Sequence, residues 1–186
     1  YSPTLASEVF SINKKGLTIS GVTANDKVYD GNTSVVLNTG SITYSGLKTG
    51  DNIGYGVTGT FDNKNVGSGK TVSLTETATG PQAGNYTISF QGSTTASITA
   101  KTVTVTHSGT ISKIYDGNTN ASIDLSDYSI TGFISGESAT ITQTLGTYDT
   151  KSVGTGKTVS IDLSEAYNPA SGTLMSNYAP TQSLSL

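Results

Sequence analysis
The chain contains no cysteine, which removes disulfides, thiolate metal sites and cysteine nucleophiles together. Arginine is absent as well: all ten basic residues are lysine, set against 13 acidic ones for a net charge of −3. Nucleic-acid surfaces draw on a basic surplus and on arginine forks for phosphate, so nucleic acid is not an expected partner. No apolar run approaches the roughly 18–20 residues needed to cross a bilayer, so membrane insertion is not expected either. Charged residues make up only 12 % and hydrophobic ones 33 %, which argues against both highly charged disorder and a thick core. Strong helix formers are too few for long helices.

What fills the space is Ser, Thr and Gly: 58 of the 186 residues are Ser or Thr and 22 are Gly. Thr is β-branched and tolerates a half-solvated pleated surface, so this composition suits thin sheets with wet outer faces. Apolar residues alternate with period two, as in Leu17/Ile19, Tyr86/Ile88/Phe90, Ala121/Ile123/Leu125 and Val159/Ile161/Leu163. Gly, Asn and Asp punctuate these segments about every 8–12 residues, as in a sandwich or barrel.

The chain also repeats itself. KVYDGNT (Lys27–Thr33) returns as KIYDGNT (Lys113–Thr119), and KNVGSGKTVSL (Lys64–Leu74) returns as KSVGTGKTVSI (Lys151–Ile161). LKTGDNI (Leu47–Ile53) matches FISGESA (Phe133–Ala139), and GNYTISF (Gly84–Phe90) has a looser partner in SNYAP (Ser176–Pro180). Two tandem modules follow, 15–100 and 101–186. Phe10–Ile19 matches Ala96–Val105, so residues 1–14 read as the tail strand of a preceding repeat. The second repeat stops at Leu186 before a SIT segment of its own, and a longer array is expected. The expected fold is all-β: two tandem antiparallel β-sandwich (immunoglobulin-like) modules of roughly seven strands each, arranged end to end. No Pro-rich or Gly/Ser linker separates them, which favours a stiff junction. At about 3.3 Å per residue such a pair would make a rod on the order of 70–90 Å long.

GSGKT within Lys64–Leu74 resembles a phosphate-binding loop, but that loop needs Gly where both repeats have lysine, Lys64 and Lys151. It also needs a helix to follow, whereas TVSL and TVSI read as strands. A Gly-rich hairpin turn with solvated lysines is the expectation. His107 stands where the first repeat has Gly21, and it reads as a solvated residue at a strand end. No carboxylate pair recurs at a spacing suited to glycoside hydrolysis, and no catalytic residue is assigned.

The strongest signal is the repeated Tyr-Asp-Gly-Asn: Tyr29, Asp30, Gly31 and Asn32, then Tyr115, Asp116, Gly117 and Asn118. Asp-Gly supplies positive φ, and the Asp side chain can accept from the amide two residues on. The tyrosine ring can seal one end of the core with its hydroxyl on backbone. Calcium is the competing reading, with Asp30, Asn32, Asp116 and Asn118 as candidate ligands. A Lys–Asn isopeptide from Lys27 or Lys113 to Asn85 or Asn177 is a third. The Asn85-Tyr86 and Asn177-Tyr178 pairs complete the structural motif.

With these residues in view, the chain resembles the YDG-repeat (YDG/MBG-type) modules of bacterial surface adhesins, including filamentous-haemagglutinin-like proteins of two-partner secretion. The resemblance covers 15–186 as two repeats. The second departs from the pattern in Ser176 and in an insertion, Glu165–Met175, which leaves its late loop in question. The resemblance implies no catalysis, no cofactor and a location at the bacterial surface or outside the cell. It suggests a structural stalk that presents a distal binding domain in cell adhesion or biofilm formation. The rival reading is that the modules themselves bind a glycan, an exopolysaccharide or a host surface protein, with Tyr44, Tyr55, Tyr128 and Tyr167 as stacking surfaces. Expected partners are neighbouring repeats of the same protein. The chain is expected to be monomeric, although a strand near Val9–Ile12 could pair head to tail between molecules.

Overall fold
The computed structural model describes residues 10–186. The protein is all-β; its only helical elements among the described residues are three single 3₁₀ turns. No helix there is long and apolar enough to cross a membrane. The chain divides into two compact units that do not follow the sequence repeat. Unit one takes residues through Asn25, Thr33–Asp62 and Gly69–Ala96. Unit two takes Asp26–Asn32, Asn63–Ser68 and Ser97–Leu186. Two short pieces of the first repeat are thus built into the unit formed by the second.

The first repeat contributes nine strands: β1 (Lys15–Ser20), β2 (Thr23–Ala24), β3 (Lys27–Val28), β4 (Leu37–Asn38), β5 (Thr43–Ser45), β6 (Gly54–Phe61), β7 (Gly67–Thr79), β8 (Tyr86–Ser89) and β9 (Ser93–Thr99). The second contributes nine more: β10 (Lys101–His107), β11 (Asn120–Ser122), β12 (Tyr128–Thr131), β13 (Ala139–Ile141), β14 (Leu145–Tyr148), β15 (Val159–Asp162), β16 (Tyr167–Pro169), β17 (Tyr178–Pro180) and β18 (Ser183–Ser185).

The repeat is visible in the pairing. β1 lies between β5 and β8, and β10 lies between β12 and β17. In each trio the first neighbour is antiparallel and the second parallel. A parallel neighbour needs a long crossover, here the whole body of the module. Most other pairs are antiparallel, with one further parallel pair at β3 and β9, where Lys27 faces Ile98.

In unit one, β6 and β7 form a hairpin registered from Gly54 against Thr79 to Phe61 against Val72. Leu17 and Ile19 of β1 pack with Ile53 and Tyr86, and Tyr55 and Ala78 close over them. In unit two this hairpin is interrupted. β13 pairs with β16, and β14 with β15, so the insertion Glu165–Met175 is absorbed partly as a strand. Its core joins Val105, Ala121, Ile123, Ile161 and Leu163, and each Val, Ile or Leu among them contributes about 1.5–3 kcal/mol by leaving water. The period-two alternation holds through these residues but stops at its ends: Phe90 and Leu125 are exposed, because each lies where its strand has ended.

Of the tail segment 1–14, residues 1–9, Val9 among them, lie outside the described residues. Phe10–Lys14 form no strand, and both Phe10 and Ile12 are exposed.

Candidate functional site: a tyrosine–carboxylate joint
The YDG loop is built around a lysine. Lys27 Nζ donates to Asp30 Oδ1 at 2.8 Å, to the Asn32 carbonyl at 2.9 Å and to Asn32 Oδ1 at 3.0 Å. Lys113 repeats this on Asp116 and Asn118 at 2.8, 2.9 and 2.8 Å. Asp30 and Asp116 each accept the amide two residues on, at 3.1 Å. The intervening glycines take φ of 82° and 83°, where a side chain is strained. In each repeat the two side-chain oxygens considered for calcium therefore converge on an ammonium that the loop supplies itself. No cluster of three or more metal-ligating side chains occurs among the described residues. Lys113 and the Asn118 amide hold the Asp116 carboxyl below its usual range. At Asp30 burial pushes the other way, but Lys27 and the Asn32 amide outweigh it.

Beyond the loop, the repeats part company. Tyr29 is 1 % exposed and Tyr115 is 59 % exposed. The Tyr29 hydroxyl donates to a carboxylate, Glu137 Oε1 at 2.7 Å, and not to backbone. Tyr178 donates to the other oxygen of the same carboxylate, Oε2, also at 2.7 Å. The two rings meet edge to face at 5.4 Å, and Phe133 meets Tyr178 at 4.6 Å. Lys64 Nζ lies 3.6 Å from Glu137 Oε1. Burial would raise Glu137, but the two hydroxyls and Lys64 together hold it low. Tyr178 is pushed up to about 12 by burial and by its bond to Glu137, and Tyr29 is raised for the same reasons.

Asn177 finishes the joint. It is 1 % exposed; its Oδ1 accepts the Val66 amide at 2.9 Å and its Nδ2 donates to Asn65 Oδ1 at 3.1 Å. A buried carboxamide requires such partners. The 3₁₀ turn Met175–Asn177 presents Asn177 and Tyr178 here despite the preceding insertion. The isopeptide reading finds Lys27 on Asp30 and Asn32, and Asn177 on Asn65 and Val66; the two are not brought together.

The first repeat has the matching half. Tyr86 donates to Asp51 Oδ2 and accepts the Lys48 amide at 3.1 Å, as Tyr178 accepts the Ile134 amide at 3.4 Å. Asn85 ends the turn Ala83–Asn85 just before it. Glu137 and Asp51 were given no role by the sequence argument. The signal was there, an acid after glycine at the same step of both repeats, Gly50-Asp51 and Gly136-Glu137.

The lookalike phosphate loop is strand and turn in both repeats; its Lys64 and Lys151 are exposed as expected, but Lys70 and Lys157 are not solvated. Lys70 Nζ is 2.9 Å from Asp62 with its side chain 9 % exposed. Lys157 Nζ lies 3.8 Å from Asp149 and bonds Thr150. Each lysine folds back on an acid before its turn. His107 is a further correction. Its side chain is buried, stacked edge-on to Tyr128 at 5.2 Å, and neither ring nitrogen has a hydrogen-bond partner.

A profile described as the YDG domain matches residues 13–96 and again 99–184. Comparison with curated proteins and with solved structures gives no significant match.

Proposed function
The chain belongs to the YDG-domain family, in two tandem copies, and we propose that it is a structural stalk segment of a bacterial surface adhesin. It extends the protein outside the cell and presents a binding domain carried elsewhere, in adhesion or biofilm formation. It is non-catalytic and takes no cofactor. The observation that carries this reading is the fate of the repeated polar groups. In the first repeat they are spent on joining: Tyr29 and the turn Lys64–Val66 fasten onto Glu137, Asn177 and Tyr178 of the second. A motif that recurs in order to bond to the next repeat is what a linear array requires.

The tyrosines weigh against direct ligand binding. Tyr55 bonds Glu76, Tyr128 donates to the Gln143 carbonyl at 3.1 Å, and Tyr167 donates to the Thr181 carbonyl. Tyr44 packs against the core of unit one. Exposed aromatic rings among the described residues are scattered: Phe10, Phe90 and Tyr115. They form no recurring platform.

The test is adhesion. Beads coated with the folded chain are presented to glycans, biofilm exopolysaccharides and host cells beside beads carrying an unrelated β-sandwich. The stalk reading expects no binding above the control. Saturable binding above it would establish the rival.

A further inference from the structure
The second repeat carries an open groove of about 700 Å³, lined by Lys113–Tyr115 on one side and Lys151–Val153 on the other. Ile114 is 91 % exposed, Val153 87 % and Tyr115 59 %. These side chains give the groove a short apolar strip between its lysines. What covers such a groove can be read from the first repeat, where the equivalent strip, Lys27–Tyr29 and Lys64–Val66, is covered in part: Tyr29 is buried and Val66 half-buried, while Val28 stays 52 % exposed.

Three things cover it there. Ile98 and Thr99 run parallel to Lys27 and Val28. The Glu137 carboxylate takes the Tyr29 hydroxyl, and Asn177 takes the Val66 amide. Ile134 lies over Gly31, where its Cδ1 would sit 2.5 Å from an added Cβ. Each of these has a counterpart in the first repeat: Ser11–Asn13 for Ser97–Thr99, Asp51 for Glu137, Asn85 for Asn177 and Lys48 for Ile134. Asp51 already holds Tyr86 on Oδ2, as Glu137 holds Tyr178, which leaves Oδ1 for a second tyrosine. Ile12 is fully exposed, whereas its counterpart Ile98 is 1 % exposed in its covered setting.

We propose that this groove receives another molecule of the same chain head to tail. Ser11–Asn13 of the incoming molecule adds as a parallel strand along Lys113–Ile114, and its Asp51 takes the Tyr115 hydroxyl. Its Asn85 takes the Val153 amide, and the stem of its Lys48 covers Gly117, beside which an added Cβ would meet nothing within 4 Å. Main-chain pairing supplies the attachment and the alternate side chains supply the register, as in other strand additions. The contact is heterologous, one face against a different face, so a molecule that accepts at one site can donate at the other. Asp51 is one methylene shorter than Glu137, and the joint between molecules lacks the covalent connection that holds the internal one. It is therefore weak, and the dilute chain is monomeric.

The inference stands apart from the stalk reading, and the experiment separates them because it measures self-association alone. Sedimentation of the full chain is followed up to millimolar concentration. A donor-blocked variant carries Ile12→Asp with Phe10→Ser, and an acceptor-blocked variant carries Tyr115→Ala with Val153→Asp. All four side chains are exposed, so both variants fold, and unchanged circular dichroism verifies it. The wild-type mass is expected to rise with concentration, each variant alone to associate more than about tenfold more weakly, and an equal mixture of the two to form a dimer that grows no further. A wild-type chain that stays monomeric throughout overturns the proposal. So does association that survives either pair of substitutions, or a mixture that fails to dimerise.

Discussion

The two YDG loops are the same object in different surroundings. In both, a lysine ammonium is held by Asp and Asn at 2.8–3.0 Å, and glycine takes φ of 82° or 83°. The bonds that define this geometry fall within seven residues in both repeats. The tyrosine that opens the motif is another matter. Tyr29 is sealed between Glu137 and Tyr178, while the ring of Tyr115 lies open. The loop is therefore a prefabricated part, and the neighbouring repeat decides whether its tyrosine becomes core. The same Tyr-Asp-Gly-Asn thus carries a buried tyrosine in one repeat and an exposed one in the other.

Substitution at the tyrosine should separate the repeats most. Tyr29→Ala empties a buried site and removes one of the two hydroxyls that Glu137 accepts; a loss of about 3–5 kcal/mol is expected in urea denaturation. Tyr115→Ala should cost no more than about 0.5 kcal/mol under the same conditions. Similar losses at both positions would break the comparison.

The carboxylate comes next. Glu137→Gln removes the charge that both hydroxyls address and should cost about 1–3 kcal/mol. It should also change the response to acid. Folding holds Glu137 below its ordinary value of 4.5, so its contribution is complete above that pH and is lost as pH falls through the lower folded value. Thermal melts from pH 6 down to about pH 2 should decline more gently in the Gln variant. In alkali the sign reverses: Tyr178, raised from 10.0 to about 12, contributes fully below the first value and loses its contribution as pH climbs toward the second.

The smallest effect should be the most even. Lys27→Met and Lys113→Met each remove the cation of one self-contained loop, and their melting temperatures should fall by similar small amounts. A clear inequality would show that the loop geometry depends on what covers it. Chelation should shift neither, because the ammonium already occupies the convergence of oxygens.

Much of this was legible in the sequence, for physical reasons that differ from residue to residue. The strands announced themselves because Leu17/Ile19, Val103/Val105 and Val159/Ile161/Leu163 alternate against a Thr-rich outer face, and period two has one structural meaning. The turn at Asp-Gly was legible because positive φ and the Asx bond are local properties. The partner of Tyr29 was not, since Glu137 lies 108 residues away and a lone acid carries no periodic signature. The burial of His107 was missed for the opposite reason: its place at the end of β10 suggested solvent, while Tyr128, paired beside it, covers the ring. The unit boundary also escaped the sequence, which repeats at one phase while the fold closes at another. Residues 26–32 and 63–68 belong by sequence to one repeat and by packing to the unit of the other.

A double-mutant cycle between Tyr29→Phe and Glu137→Gln bears hardest on the joint, with Tyr115→Phe and Glu137→Gln as the matched control. A coupling energy between about 1 and 3 kcal/mol is expected for the first pair, with additivity within about 0.5 kcal/mol for the second. Additivity in both cycles would contradict the joint, because the hydroxyl of Tyr29 and the carboxylate of Glu137 would then be neighbours without being partners.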